Sequence, residues 1–238
     1  MSFGLGRGRA LEPGAIGVGP EEMPPLPDDL LANPLGARLN PRAWFPDPSR
    51  PFEIEIGSGK GTLLLAQSAA QPATNFLGIE WAGEFYAYAA DRLRRAGVAN
   101  ARMLHADATE FLRWRCPDAI VRVIHLYFSD PWPKSRHHKK RVVQDSFLCD
   151  AWRVLEAGGE LRVVTDHDEL WAWDMEHFGR WCGTGPTPGH AGATPAFDLL
   201  AFETPETSGA DELVGTNFER KFRAEGRGFH ACVLRKRG

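Results

Sequence analysis

The feature that most constrains this chain is a strand-like segment that runs into a glycine-rich turn and then into a helix. Phe52–Ile56 has the composition of a strand, and Thr62–Ala70 has the composition of a helix. Between them, Gly57, Gly59 and Gly61 stand at every second position. Glycines let backbone and ligand approach closely, and the helix begins there with free N–H groups. This order predicts an α/β domain that binds a ligand at the carboxyl edge of its sheet.

Three ligands compete for this turn. A phosphate-binding P-loop needs a glycine five residues before Gly59, where this chain has Ile54, and it would place the carboxylate of Glu55 inside an anion cradle. A dinucleotide fold needs Gly-x-Gly-x-x-Gly, whereas the spacing here is Gly-x-Gly-x-Gly. S-adenosylmethionine has an ammonium, a sulfonium and no phosphate, so an acidic residue beside the turn favours it. We therefore expect S-adenosylmethionine to lie against Glu55, Gly57 and Gly59.

Further acidic residues follow the next two predicted strands. Asn75–Glu80 ends on a carboxylate about 20 residues after the turn, the spacing at which an acid accepts ribose hydroxyls. Ala101–His105 is followed by Asp107 and Ala108. Asp107 either meets the adenine amino group or caps the helix that follows, and the sequence leaves both interpretations open.

A stiff, basic segment follows the fourth predicted strand, residues 119–128. Asp130 stands just past that strand, and Pro131 and Pro133 restrict the backbone on both sides of Trp132. Five cations come next: Lys134, Arg136, Lys139, Lys140 and Arg141. A solvated loop is the plain alternative. A lone carboxylate beside a cation cluster at a strand's carboxyl end instead predicts a site that holds an anionic partner close to one acid.

The later part of the chain continues the α/β alternation. Residues 142–155 are predicted to be a helix, 156–159 a turn, and 160–165 a fifth strand that ends at Asp166. A helix is predicted over residues 167–181, and two strands near 199–203 and 228–234. Most of residues 1–45 is rich in glycine and proline and is predicted to be a disordered arm. Residues 46–238 are then a single catalytic domain.

Composition limits the possible partners and compartments. A net charge of −3 over 238 residues excludes a uniformly basic coat but allows a local basic face for a polyanion. The four cysteines are scattered, so we expect reduced thiols and no metal site. The chain has no stretch of 18 apolar residues and no apolar signal core at its start. We therefore expect a cytoplasmic protein without membrane contact.

Taken together, these motifs resemble one family over about residues 52–235. They are Glu55-Ile56-Gly57-Ser58-Gly59-Lys60-Gly61, Gly78-Ile79-Glu80, Asp107-Ala108, Asp130-Pro131-Trp132-Pro133-Lys134 with Arg136-His137-His138-Lys139, Thr165-Asp166, and Thr216-Asn217-Phe218-Glu219. In this order they resemble the bacterial tRNA (guanine-N7-)-methyltransferases. The resemblance implies a Rossmann-like class I methyltransferase fold, with a mostly parallel seven-stranded sheet and helices on both faces.

The resemblance also implies an activity and a set of site residues. The activity is methyl transfer from S-adenosylmethionine to N7 of the variable-loop guanine of tRNA, position 46, by a monomer or homodimer. Asp130 is then the catalytic residue. The implied cofactor contacts are Glu55, Gly57, Gly59, Glu80, Asp107, Ala108 and Asp130. The implied substrate contacts are Lys134, Arg136, His137, Asp166, Thr216, Asn217, Phe218 and Glu219.

Other activities stay open at this point. One is a methyltransferase that acts on another RNA, on a protein or on a small molecule, for which the basic cluster would be incidental. Another is an RNA-binding module that has lost its cofactor, although the acids at positions 55, 80 and 130 argue against it. A P-loop kinase would bind ATP in place of S-adenosylmethionine.

Overall fold

The structure is a computed structural model that describes residues 5, 10–19, 22–189, 192 and 194–238. The strands are β1 (Phe52–Ile56), β2 (Asn75–Glu80), β3 (Ala101–His105), β4 (Val121–Tyr127), β5 (Leu155–Thr165), β6 (Phe197–Leu200) and β7 (His230–Lys236). The helices are α1 (Thr62–Ala70), α2 (Gly83–Arg95), α3 (Ala108–Glu110, followed by a wider π-helical turn over Phe111–Arg115), α4 (Asp145–Val154), α5 (Asp168–Cys182) and α6 (Asn217–Ala224).

The seven strands form one sheet in the order β3-β2-β1-β4-β5-β7-β6. Neighbouring strands are parallel, except that β7 runs antiparallel to β5 and β6. The order in which strands are added to the sheet reverses between β1 and β4. The carboxyl ends of these two strands therefore open a crevice, which is where ligands of such sheets bind. The predicted mostly parallel α/β fold is confirmed.

Helices cover both faces of the sheet, because side chains alternate along each strand. On β2, Phe76 packs in one cluster with residues of α1 and α2, such as Leu64 and Leu93. Its neighbour Leu77 packs on the opposite face, in a larger cluster with residues of α4 and α5 such as Leu148 and Trp181. Two apolar cores therefore fix the strands whose ends build the crevice.

The bounds of β1, β2, β3 and α1 agree with the sequence prediction. The other predicted strands and helices occur within a few residues of their expected ends, and α6 was not predicted. The predicted turn at 156–159 lies inside β5. Leu155 pairs with Val121 and Glu160 with Val123, so residues 156–159 bulge out opposite Arg122 alone.

The described part of the N-terminal segment contacts the edge of the sheet. The Val18 N–H donates to the Met103 carbonyl at 2.8 Å. Ile16 and Phe45 are buried in the two apolar clusters. Residues 1–4, 6–9 and 20–21 of the predicted arm lie outside the described residues. The division of the chain at residue 45 stays a prediction.

Among the described residues, every helix is too short or too polar to cross a membrane.

Candidate active site

A cavity of about 430 Å³ lies at the carboxyl ends of β1 and β4, a size typical of cofactor sites. Four parts of the chain meet there, and α2 is one of them through Phe85. The glycine turn contributes Glu55, Gly57, Ser58 and Lys60, the end of β4 contributes Tyr127 and Phe128, and the start of α6 contributes Thr216, Asn217, Phe218 and Lys221. The structure thus brings the glycine turn together with a motif more than 150 residues away in sequence.

The glycine turn adopts a backbone that other residues rarely adopt. Gly57, Gly59 and Gly61 have φ of +74°, +51° and +64°. A side chain at Gly57 would meet nothing within 4 Å, so the backbone there is open to the cavity. A side chain at Gly61 would meet Ala89 of α2 at 3.0 Å. The turn therefore needs glycine for its conformation and for its packing on α2.

Glu55 presents a buried carboxyl group to this cavity. Its side chain is almost completely buried, and Oε2 has no hydrogen-bond partner among the described residues. Burial raises the pKa of Glu55 to about 8, with Ser58 acting against the shift and Glu80 adding to it. A buried acid with one unpaired oxygen suits a cationic ligand such as an ammonium group, and its ionised form repels phosphate. These residues therefore fit S-adenosylmethionine, and they do not fit a nucleotide phosphate.

Glu80 fastens the turn from the neighbouring strand. Its Oε2 accepts from the Gly59 N–H and its Oε1 from the Ala82 N–H, both at 2.8 Å. Each oxygen keeps a lone pair, so the carboxylate can still accept a hydroxyl. The predicted contact with the ribose stays a prediction.

Asp107 caps α3, which was one of its two predicted roles. Its Oδ1 accepts from the N–H groups of Thr109 and Glu110 at 2.8 and 3.1 Å. Asp107 and Ala108 are not among the residues that line the cavity. Their predicted contact with adenine stays a prediction.

Asp130 stands three residues beyond the end of β4. Its carboxylate is exposed and forms no hydrogen bond or ion pair with any residue that the structure describes. On either side of it, Phe128 and Trp132 have φ of +56° and +42°, a left-handed conformation that costs a non-glycine residue about 1–2 kcal/mol. Tertiary contacts must therefore hold this turn in shape.

Arg141 supplies one of those contacts, which corrects the expectation that it belongs to an exposed phosphate-binding cluster. Its Nε donates to the Pro131 carbonyl at 2.9 Å, and its Nη2 to Glu169 at 2.7 Å. Its guanidinium also lies 5.2 Å from the Trp173 ring, and the residue is only 2% exposed. A buried, paired arginine braces the turn and is not available to bind phosphate.

The remaining cations of the segment are exposed. Lys134, Arg136 and Lys139 face solvent, and His137 is half-buried. The Lys140 ammonium lies 4.6 Å from the Trp132 ring. These side chains form a basic surface beside Asp130.

Asp166 lies at the end of β5 and is occupied by an arginine. Its Oδ2 accepts from Arg227 at 2.5 Å, and the Arg227 guanidinium lies 4.4 Å from the Phe222 ring. The same arginine pairs with Glu225 at 2.8 Å. A substrate that contacts Asp166 must share its carboxylate with Arg227 or displace it.

The motif at residues 216–219 divides into two roles. Thr216 caps α6 through the Glu219 N–H at 3.1 Å, Asn217 donates to Thr62 at 2.8 Å, and the exposed Phe218 ring approaches Gly59.

Glu219 is fully buried. Its carboxylate accepts from Arg223 and from three backbone N–H groups, those of Leu213, Val214 and Gly215. Glu219 thus holds the loop that delivers the other three residues to the cavity.

Several cavity residues were not singled out from the sequence. Phe85 on α2 lines the cavity. Tyr127 and Phe128 were assigned only to a strand, although their position just before the Asp130 turn was a usable signal. Lys221 lies two residues beyond the 216–219 motif, which was also a signal.

In the described part of the chain, no group of three or more His, Cys, Asp or Glu side chains is arranged to hold a metal ion. All four cysteines are free thiols.

Comparison with known proteins places the chain in a family. The sequence profile of a family described as "Putative methyltransferase" matches residues 49–184. The tRNA (guanine-N(7)-)-methyltransferase of Nitrobacter hamburgensis is 36% identical over 178 residues, which are 75% of this chain and 68% of that protein. The Rhodopirellula baltica enzyme of the same name is 34% identical over 217 residues, 88% of this chain and 75% of that protein.

Among solved structures, TrmN from Thermus thermophilus aligns with a TM-score of 0.50 at 18% identity, over 79% of this chain and 45% of that one, which supports the fold alone. From the profile match and these relatives, the chain belongs to the tRNA (guanine-N(7)-)-methyltransferase family.

Proposed function

We propose that this chain methylates N7 of the variable-loop guanine, position 46, in tRNA, with S-adenosylmethionine as the methyl donor. Family membership confirms the predicted methyltransferase activity and its methyl donor. The observation that carries the proposal for this chain's own site is Glu55, a buried carboxyl group whose Oε2 has no hydrogen-bond partner among the described residues, at a cavity built on the glycine turn. Bound S-adenosylmethionine supplies a methyl group on a sulfonium.

The glycine turn is the proposed cofactor site. Glu55 receives the ammonium group, and the open backbone at Gly57 lies along the amino-acid part of the ligand, with Gly59 next to it under the Phe218 ring. Glu80 uses its free lone pairs for the ribose hydroxyls. Asp107 and Ala108 border the adenine end. Phe85 and Phe128 add apolar walls that exclude water.

Asp130 is the proposed catalytic residue. Guanine N7 carries a lone pair, so no base is needed to create the nucleophile, and the enzyme acts mainly by aligning the two reactants. Methylation leaves positive charge on the purine. The carboxylate of Asp130 has no partner among the described residues and stands two residues beyond Phe128, which lines the cavity, although Asp130 itself is not a lining residue. Its proposed role is to stabilise that charge as it develops.

The basic surface beside Asp130 is the proposed tRNA contact. Lys134, Arg136 and His137 hold phosphates near the target nucleotide, and such contacts weaken steeply with salt. Thr216, Asn217 and Phe218 stand at the cavity, and Asp166 contacts the guanine once Arg227 gives way. The target base must leave its stack to reach this site.

The test is transfer of labelled methyl from S-adenosylmethionine to unmodified tRNA transcripts, followed by mapping of the methylated base. The proposal predicts label at N7 of guanine 46 and none on a transcript that has adenine there. Label at another position, or on another RNA only, would contradict the assigned target.

A further inference from the structure

A chain of hydrogen-bonded polar side chains runs through the interior of the sheet beneath the cofactor cavity. Glu53 Oε2 lies 2.8 Å from His125 Nε2, and His125 Nδ1 lies 2.8 Å from the Tyr127 hydroxyl. The three residues are 4%, 3% and 6% exposed. Burial of polar groups is costly unless each finds a partner, so this chain is a specific arrangement and not a solvated surface.

The chain has a fixed direction. Glu53 Oε1 accepts from Nε and Nη2 of Arg122 at 3.0 and 2.5 Å, which leaves Oε2 for His125. Although burial opposes ionisation, the hydrogen bonds from His125 and Arg122 lower the pKa of Glu53, so its carboxylate is ionised and only accepts. In a neutral imidazole, Nε2 then carries the hydrogen and Nδ1 accepts the hydroxyl hydrogen of Tyr127.

The chain connects two cavities. Glu53, Arg122 and His125 line a second, polar cavity of about 510 Å³. Tyr127 lines the cofactor cavity, together with Glu55 and Phe128. Phe128 is also the first left-handed residue of the turn that carries Asp130. The Tyr127 hydroxyl is therefore fixed by His125, while Tyr127 forms part of the wall of the cofactor cavity.

We propose that Glu53 and His125 are positioning residues that act through the Tyr127 hydroxyl to hold the wall of the cofactor cavity in its binding geometry. This inference rests on the proposed function only in its assignment of the cavity to S-adenosylmethionine. It gives a role to two buried residues that touch neither reactant.

Two variants test the chain without removing bulk. In Glu53→Gln, the amide oxygen must face the two donors of Arg122, so the amide NH₂ faces His125. The imidazole then donates from Nδ1 to the Tyr127 oxygen, so the direction of that bond is reversed and the Tyr127 hydroxyl hydrogen loses its acceptor. Tyr127→Phe deletes that hydroxyl and keeps the ring. Each change leaves one buried polar group of the network without a partner, the Tyr127 hydroxyl hydrogen in the first variant and His125 Nδ1 in the second. Each should therefore weaken S-adenosylmethionine binding by about five- to tenfold.

The decisive readout is the double variant. If Glu53 acts through Tyr127, the combined Glu53→Gln, Tyr127→Phe protein should bind S-adenosylmethionine no more weakly than either single variant, whereas independent sites give additive effects. The affinity for S-adenosylmethionine is measured by titration calorimetry without tRNA. The affinity for tRNA, measured separately, should stay within about twofold of wild type, because the buried hydrogen bonds contact no phosphate. His177→Phe is the control, since His177 is similarly buried and its one hydrogen bond within the described part of the chain is with the Trp173 carbonyl of its own helix.

Three results would overturn the inference: additive losses in the double variant, an unchanged affinity in Tyr127→Phe, or an equal loss in His177→Phe. Tyr127→Phe leaves the ion pair of Glu53 and Arg122 in place, so it decides the matter if Glu53→Gln does not fold. A wild-type chain that binds S-adenosylmethionine without methylating tRNA would defeat the proposed function and leave this inference standing. A chain that does not bind S-adenosylmethionine would defeat both.

Discussion

Replacement of Glu55 by glutamine should change how the stability of this protein depends on pH. The pKa of Glu55 is about 8 in the folded chain, against an ordinary value of 4.5. The folded chain therefore holds this proton more tightly than the unfolded chain, and stability falls as pH rises between those two values. The gap between these two pKa values corresponds to roughly 5 kcal/mol of folding free energy. That contribution is fully present below pH 4.5 and is lost above about pH 8.

Glutamine has nearly the same shape and does not titrate. At pH 5, wild type and Glu55→Gln should have similar free energies of unfolding, because Glu55 is protonated in the folded wild type. As pH rises towards 8, the wild type should lose stability relative to the variant. The same substitution should weaken S-adenosylmethionine binding, since a neutral amide cannot pair with the ammonium group.

The assay is urea denaturation of both proteins across this pH range, with calorimetric binding of S-adenosylmethionine in buffers of different ionisation enthalpy. At pH 7 the wild type should release about one proton on binding, because the ammonium group favours the ionised carboxylate, and the variant should release none. Parallel stability curves for the two proteins, or equal proton release, would refute the assignment of Glu55 as a buried neutral acid that ionises against its ligand.

Two further predictions concern the basic segment. Alanine at Lys134 and Arg136 should raise the KM for tRNA severalfold, with kcat little changed. The slope of log affinity against log salt should fall by about one for each lost phosphate contact. An unaltered salt slope in filter binding would contradict this prediction. Arg141→Ala should instead lower the free energy of unfolding by about 2 kcal/mol, because it removes a 2% exposed side chain and leaves the Pro131 carbonyl without its donor. A variant that melts like wild type but binds tRNA poorly would return Arg141 to the phosphate contacts.

The sequence predicted the first half of the sheet closely. Phe52–Ile56, Asn75–Glu80 and Ala101–His105 are short segments rich in apolar residues, with Pro51, Gly57 and Asn100 at some of their ends, so local composition favours both their type and their bounds. The glycine spacing and the neighbouring Glu55 also identified the ligand class. They lie within five residues of one another, so their combination can be read directly from the sequence.

Prediction failed where long-range packing decides a role. Arg141 and Lys134 look alike in a charge run, and only the fold shows that one lies under Trp173 and the other in solvent. Glu219 is part of the 216–219 motif, yet it closes its own loop, because its position buries it beside three free N–H groups. The Gly158-Gly159 pair resembles a turn but forms a bulge, since pairing with β4 resumes directly after it.

The central claim is that Asp130 promotes methyl transfer to guanine 46 of tRNA at this site. The most direct test is single-turnover transfer of labelled methyl to unmodified tRNA by wild type and by Asp130→Asn. Asp168→Asn serves as the control, since that exposed acid pairs with His230 and has no proposed role in the reaction. We expect rapid transfer to N7 by wild type and by the control, and almost none by Asp130→Asn, with tRNA affinity within a few-fold. Near-normal transfer by Asp130→Asn would contradict the assignment of Asp130 as the catalytic residue.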